Sequence, residues 1–168
     1  MSKKFHYDFP IGRMCVETEE GYLAGLYMDS IIEKDEQETS LHKEVHKQLQ
    51  EYFQKKRSSF DLPIKIAGTD FQMQVWDALC KIPYGETRSY VEIARMIDNP
   101  KACRAVGGAN NKNPIMIVIP CHRVINADGS LGGFGGGINV KQYLLQLERE
   151  KTIKADKCRC HGQQSKYR

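Results

Sequence analysis

The adjacent residues Cys121 and His122 are where this sequence could do covalent chemistry. A thiolate attacks where a thiol does not, and a neighbouring imidazole can accept the thiol proton or stabilise the charge left behind. Five apolar residues, Ile115 to Ile119, lead into the pair and read as a buried strand that stops at Pro120. The glycine-rich segment Gly129 to Gly137 follows. A strand end that delivers Cys and His into a flexible loop is a place for a nucleophile. Taken alone, however, the pair is better explained as a buried structural cysteine beside a surface histidine.

Other residue types could also bind or react. His42 and His46 lie four apart, a spacing that can present a metal pair on one helix face. No third ligand follows at a suitable spacing, so they read as solvated helix surface. Cys158-Arg159-Cys160-His161 could bind metal, but reads as a basic tail. Cys80 and Cys103 sit among apolar neighbours in helical patterns and read as small core residues. Glu148 follows Leu144 by four and lies at the edge of an apolar stripe, as a rim charge or as a partner for a buried group.

The elements that must position these residues are legible from periodicity. Residues 5–9, 12–18 and 21–29 read as three short strands with turns at Gly12 and Glu19-Glu20-Gly21. Residues 30–40 are a polar loop. Leu41 to Phe53 repeats apolar residues every four and is an amphipathic helix. Phe60 to Ile64 is extended, and Ala67-Gly68-Thr69 connects to a second part with a different pattern. There Thr69 caps a helix carrying Phe71, Val75, Trp76, Leu79 and Ile82, broken by Pro83-Tyr84-Gly85-Glu86. Ser89 caps another through Tyr90, Ile93, Ala94 and Ile97. Asp98-Asn99-Pro100 turns into a third, Lys101 to about Asn110, with Pro100 in its first turn. The last two match a helix-turn-helix. The third carries Ala102, Cys103, Ala105, Val106, Gly107, Gly108 and Ala109 around Arg104. Small residues allow either tight helix packing or close approach of a backbone to a nucleic-acid groove, and the pattern does not choose. Residues 138–150 form the last helix, with Val140, Tyr143, Leu144 and Leu147 inward. The domains expected are 1–66, 67–152 and a flexible basic tail, 153–168.

Pro120-Cys121-His122-Arg123-Val124, with Asn113-Pro114 before it and Gly132-Gly133-Phe134-Gly135-Gly136-Gly137 after it, closely resembles the active-site motif of the O6-alkylguanine-DNA alkyltransferases. The resemblance runs from about Phe71 to Glu148. It implies an α/β plus α architecture: a small ribonuclease-H-like α/β domain followed by a mostly helical domain with a helix-turn-helix. It also implies a self-inactivating DNA repair reaction in which the alkyl group on O6 of guanine is transferred irreversibly to Cys121. In that scheme His122 acts as base through water, and Glu148, linked to it through water, orients the imidazole and stabilises its positive form. Tyr90 gives a hydrogen bond to the leaving guanine, and Asn113 shapes the active-site turn. Val124, Phe134, Gly135 and Gly136 hold the base. The small-residue helix enters the minor groove through Ala102, Cys103, Ala105, Gly107 and Gly108, with Arg123 also on DNA, while Arg104 fills the gap left by the flipped nucleotide. Some members of the family hold a structural zinc in the first domain. Here that domain offers Cys15, His6, His42 and His46 at no matching spacing, so no metal site is expected. No cofactor is expected either, since no nucleotide-binding loop is present. The implied partner is double-stranded DNA carrying O6-alkylguanine, bound by a monomer.

Composition limits the alternatives. The 168 residues are 27% charged and 40% hydrophobic, which excludes wholesale disorder. No stretch approaches the roughly 20 apolar residues of a membrane span, and the N-terminus lacks a secretory apolar core, so a cytoplasmic or nuclear protein is expected. Six scattered cysteines form no disulfide framework. The net charge is +4, yet residues 149–168 carry seven Lys/Arg against Glu150 and Asp156, or +5, leaving the body near neutral. Phosphate neutralisation alone then gives modest DNA affinity. A non-catalytic recogniser of alkylated guanine would lack Cys121, a helix-turn-helix regulator would need a dimerisation segment, and a thiol hydrolase would not carry the DNA-binding pattern.

Overall fold

The computed structural model describes residues 2–150, which divide into two compact units, 2–66 and 67–150. In the first, β1 (Ser2–Phe9), β2 (Gly12–Glu19) and β3 (Tyr22–Met28) form an antiparallel sheet in that order. Alternation puts Met14 and Val16 on the face covered by α1 (Ser40–Phe53), a register shift between β2 and β3 at Glu17/Thr18 brings both Leu23 and Leu26 onto it, and α1 contributes Val45, Leu49 and Tyr52 to the same core. Phe60 to Ile64 runs extended, and Leu23 N–H donates to the Pro63 carbonyl while Lys65 N–H donates to Leu23.

The two histidines of α1 are not solvated surface. His42 is the N3 residue of a capping box: its Nδ1 accepts from the backbone N–H of Thr39, and its buried Nε2 lies 3.2 Å from the Lys3 carbonyl. His46 stacks on Tyr7 at 4.1 Å. Both are pushed below the usual imidazole range by burial. The four-residue spacing therefore marks the inward face of the helix, because the sheet it covers needed aromatic contacts there.

The second unit contains α2 (Asp70–Leu79), β4 (Arg88–Ser89), α3 (Tyr90–Met96), α4 (Cys103–Asn111), β5 (Val124–Ile125) and α5 (Ile138–Arg149). Thr69 and Ser89 each cap their helix by accepting from the N3 backbone, with Gln72 and Glu92 bonding back. The buried Trp76 ring of α2 donates through Nε1 to the Ala109 carbonyl of α4, 2.9 Å away. α4 begins later than its pattern suggested: Pro100 belongs to the turn closed by Ala102 N–H on the Asn99 carbonyl, ahead of the helix. In α5 the expected inward Tyr143 is 40% exposed, and Lys141 is buried instead.

The apolar run before Cys121 is not a strand. Residues 115–119 are buried but fold into a tight turn, with Val118 N–H on the Met116 carbonyl and Ile119 N–H on Ile115. Ile117 adopts φ 72°, costly for a β-branched residue and tolerable only where surrounding packing imposes it. An apolar run shows burial without showing backbone shape.

Candidate active site

The turn is fastened at both ends by Asn113, whose Oδ1 accepts from Ile115 N–H at 3.0 Å and whose Nδ2 donates to the Ile119 carbonyl at 2.7 Å. It feeds a single 3-10 turn, Cys121–Arg123, which sets thiol, imidazole and guanidinium in succession. Asn110 of α4 donates to the Cys121 carbonyl at 3.3 Å. Immediately afterwards β5 pairs in parallel with β4, Arg88 opposite Val124 and Ser89 opposite Ile125, so the turn is held on both sides. Cys121 is 5% exposed, and His122, Arg123 and Glu148 are buried.

One carboxylate organises the two side chains after the thiol. Glu148 of α5 places Oε2 2.6 Å from His122 Nε2 with nothing between, so the expected water link is replaced by a direct contact. The same carboxylate accepts from Arg123 Nε at 2.8 Å and Nη2 at 3.1 Å, while Arg123 Nη1 donates to the Ile82 carbonyl at 2.7 Å. Gly85 N–H reaches Glu148 Oε1 at 3.3 Å. Arg123 is thus an internal brace, only 3% exposed, and not a DNA-facing residue. Its sequence neighbours gave no sign of this, since its partner lies 25 residues away.

Charge follows from burial and from this brace. Burial would raise the Glu148 carboxyl, but the Arg123 guanidinium, and then His122, hold it well below the usual carboxylate range. Burial pushes His122 down against the pull of Glu148, so the resting imidazole is neutral, where a positive form had been expected. Burial pushes the Cys121 thiol up to about 11, opposed by the Asn113 hydrogen bond and by Lys141. The resting pair is therefore thiol and neutral imidazole. His122 Nδ1 is buried and has no partner among the described residues. A neutral imidazole engaged at Nε2 by a carboxylate keeps its other nitrogen as a proton acceptor.

A cavity of about 520 Å³ opens beside this centre. α4 contributes Cys103, Arg104, Gly107 and Asn111, and the rest comes from Tyr90, Asn126, Gly132 and Gly133. Cys121 is not among the lining residues. Tyr90, half-buried at the start of α3, connects them, because burial and then the charges of Cys121 and Cys103 push its hydroxyl up and keep it protonated. Cys103, expected in the core, is half-buried at the cavity instead. Gly132 has φ 72°, and a side chain there would meet the Tyr90 hydroxyl at 3.1 Å, so glycine is required at this wall. Val124 is buried beneath the site, and Phe134 lies half-buried in the glycine-rich loop with the exposed Gly135 and half-buried Gly136.

Lys141 was missed by the sequence reading. Its ammonium donates to the Leu131 carbonyl at 2.5 Å and the Gly133 carbonyl at 3.3 Å, and lies about 6 Å from the Tyr90 and Phe134 rings. Burial pushes it down to about 8, while Cys121 pulls it up. It ties the glycine-rich loop to α5. A lysine inside an amphipathic pattern gives no warning of burial. Arg104, Ala105 and Gly108 are exposed on α4, with Ala102 and Gly107 half-buried. Cys158, Cys160 and His161 lie outside the described residues.

Comparison with known proteins agrees across both units. Residues 70–150 match the family model for the 6-O-methylguanine DNA methyltransferase DNA-binding domain, and residues 3–66 match that for its ribonuclease-like domain. The chain is 58% identical over 106 residues to the methylated-DNA–protein-cysteine methyltransferase of Methanosarcina barkeri, covering 63% of this chain and 67% of that one. It is 44% identical over 151 residues to the Mycobacterium leprae protein of the same name, covering 87% and 92%. The crystal structure of Mycobacterium tuberculosis O6-methylguanine methyltransferase superposes with a TM-score of 0.83 at 44% identity, covering 90% of this chain and 95% of that one. The same mycobacterial protein in complex with DNA superposes at 0.81 and 44%, covering 92% and 96%. With both units matched in order over most of its length, the chain belongs to the 6-O-methylguanine DNA methyltransferase family.

Proposed function

We propose that this protein repairs O6-alkylguanine in DNA by moving the alkyl group onto Cys121, once per molecule. The observation that carries the reading is the buried Cys121 thiol held at the end of a strained turn, beside a neutral His122 fixed by Glu148. The chemistry is a displacement at a saturated carbon: the sulfur–carbon bond forms, the carbon–O6 bond breaks, and the electron pair leaves with guanine. The thiol proton passes through one water to His122 Nδ1, the free acceptor, and the imidazolium it creates is stabilised by Glu148. A protonated Tyr90 hydroxyl donates to the departing base, offsetting the charge that develops there. Asn113 keeps the turn, and thereby the sulfur, in place. The base is held by the loop Phe134, Gly135 and Gly136 and backbone groups near Val124, next to the cavity that Gly132 and Gly133 line, where glycines allow close approach to a flat ring. A thioether has no hydrolytic partner in this site, so the reaction is stoichiometric.

DNA binding falls to α4. A Cβ at Gly108 would meet nothing within 4 Å, and one at Gly107 would meet only Tyr90 at 3.8 Å, so helix packing does not explain these glycines. An unobstructed backbone suits the floor of the minor groove, approached through Ala102, Cys103, Ala105, Gly107 and Gly108. The exposed Arg104 guanidinium then occupies the stack where the alkylated nucleotide leaves. The DNA complex of the mycobacterial relative supports an interaction of this kind.

Intact mass after incubation with a duplex carrying one O6-methylguanine tests the proposal. The expected result is the gain of a single methyl, mapped to the Cys121 peptide and absent in Cys121→Ala. Duplex binding with no change in mass would overturn it and leave a damage-recognition protein.

A further inference from the structure

Beside the reactive pair, two buried polar atoms have no hydrogen-bond partner among the described residues: His122 Nδ1 and Asn110 Oδ1. Asn110 sits near the end of α4, on its buried side with Val106 and Ala109, and is 1% exposed. Its Nδ2 donates to the Cys121 carbonyl, part of the peptide group that joins the nucleophile to His122. That contact fixes the orientation of the amide, because turning it over would set two oxygen acceptors against each other. The two orphaned atoms thus belong to side chains that adjoin one peptide link, and buried atoms of this kind are almost always satisfied. We propose that Asn110 is a positioning residue whose Oδ1, together with His122 Nδ1, holds the water that carries the thiol proton. This rests on the alkyl-transfer reading above and adds to it the side chain that fixes the relay.

The match of donors to acceptors favours one water at this point. Glu148 is held as a carboxylate, so His122 carries its proton on Nε2 and offers a lone pair at Nδ1. Asn110 Oδ1 is an acceptor as well, so the two atoms cannot satisfy each other. A water has two O–H donors, one for each, and its oxygen can still accept from the Cys121 S–H. A buried water makes about three hydrogen bonds, which is the number offered here. In the transfer the S–H bond breaks and its electron pair stays on sulfur. The water takes that proton and passes one of its own to Nδ1, so it is left unchanged. Its other O–H remains on Asn110, which keeps the relay aimed at the imidazole. The neighbouring polar groups are engaged elsewhere. Asn113 uses both ends of its amide on the turn, Lys141 lies on the Leu131 and Gly133 carbonyls, and Arg123 lies on Glu148 and the Ile82 carbonyl. In the sequence Asn110 marks only the end of a helix. Its meeting with Cys121, 11 residues on, depends on the turn between them.

A crystal structure of the full chain at a resolution that orders solvent tests the geometry without any variant. One water is expected within hydrogen-bond distance of His122 Nδ1, Asn110 Oδ1 and Cys121 Sγ together. No water on His122, or one that does not touch Asn110, would overturn the proposal. Single-turnover methyl transfer from an O6-methylguanine duplex to Asn110→Leu tests the consequence, with thermal unfolding measured in parallel. The variant should react at least tenfold more slowly than the parent at pH 7. Its rate should also climb with pH, because only preformed thiolate remains reactive, while the parent rate stays level. A slower variant that keeps the level profile would mean that Asn110 only props the Cys121 carbonyl, and would overturn the proposal. So would a parent rate that climbs in the same way. A parent that gains no methyl in the intact-mass experiment would overturn the alkyl-transfer reading, and this inference with it.

Discussion

At Cys121 the environment works against the reactive form. Burial raises the thiol to about 11, so few molecules hold a thiolate at neutral pH, and nucleophilicity must be generated when substrate is present. His122, neutral and held by Glu148, can generate it. The two routes differ in their dependence on pH. If His122 takes the proton, it must be neutral, and its folded pKa lies below the ordinary value near 6.5. Single-turnover methyl transfer should then be level above about pH 6.5 and fall only in more acidic solution. Direct attack by a preformed thiolate would instead speed up close to tenfold per pH unit toward about 11. Quenched-flow measurement of the rate between pH 5 and 9 separates the two. Arg123 also gains a clear purpose: without a guanidinium beside it, burial would neutralise Glu148, and the imidazole would lose the anion that steadies its charged form.

At the scale of elements, α4 is a helix built for something outside itself. Its inward side, Val106, Ala109 and Asn110, is buried against the rest of the unit, and Ala109 receives the Trp76 hydrogen bond. Its outward side has glycine and alanine where a solvated helix would carry lysine or glutamate. Glycine in a helix interior costs about 1 kcal/mol relative to alanine, so two in succession signal a demand for space. Gly108→Leu fills open solvent and should leave the unfolding midpoint unchanged or slightly raised. The same substitution should weaken binding to an O6-methylguanine duplex by at least tenfold. Thermal unfolding and fluorescence anisotropy on one variant check both halves. A loss of stability would restore helix packing as the reason for the glycines.

For the molecule as a whole, pH acts on the first unit as well as on the reactive centre. His42 and His46 are held below their unfolded value by burial. Between that depressed value and about 6.5, the unfolded chain binds more protons than the folded one, so stability falls as pH falls. The loss approaches about 1.4 kcal/mol per pH unit for each histidine titrating in this window. Denaturant unfolding at pH 7.5 and 5.5 should show the decrease, and His46→Gln should reduce it. A decrease unaffected by that substitution would place the sensitivity elsewhere.

The sequence by itself determined the family and most of the order of elements, because these depend on local signals. Strand alternation, Thr69 and Ser89 as caps, and the string Pro120 to Val124 are readable without any distant contact. Tertiary structure alone decided which polar side chains are buried and what they face. Arg123 turned inward because Glu148 and the Ile82 carbonyl meet it there, and Lys141 because two loop carbonyls do. His42 became core and His46 half-buried because the sheet covers that face, and Ile115 to Ile119 became a turn because Asn113 ties both its ends. A buried charge or a positive φ is stable only when partners distant in sequence compensate it, and local patterns carry no record of those partners.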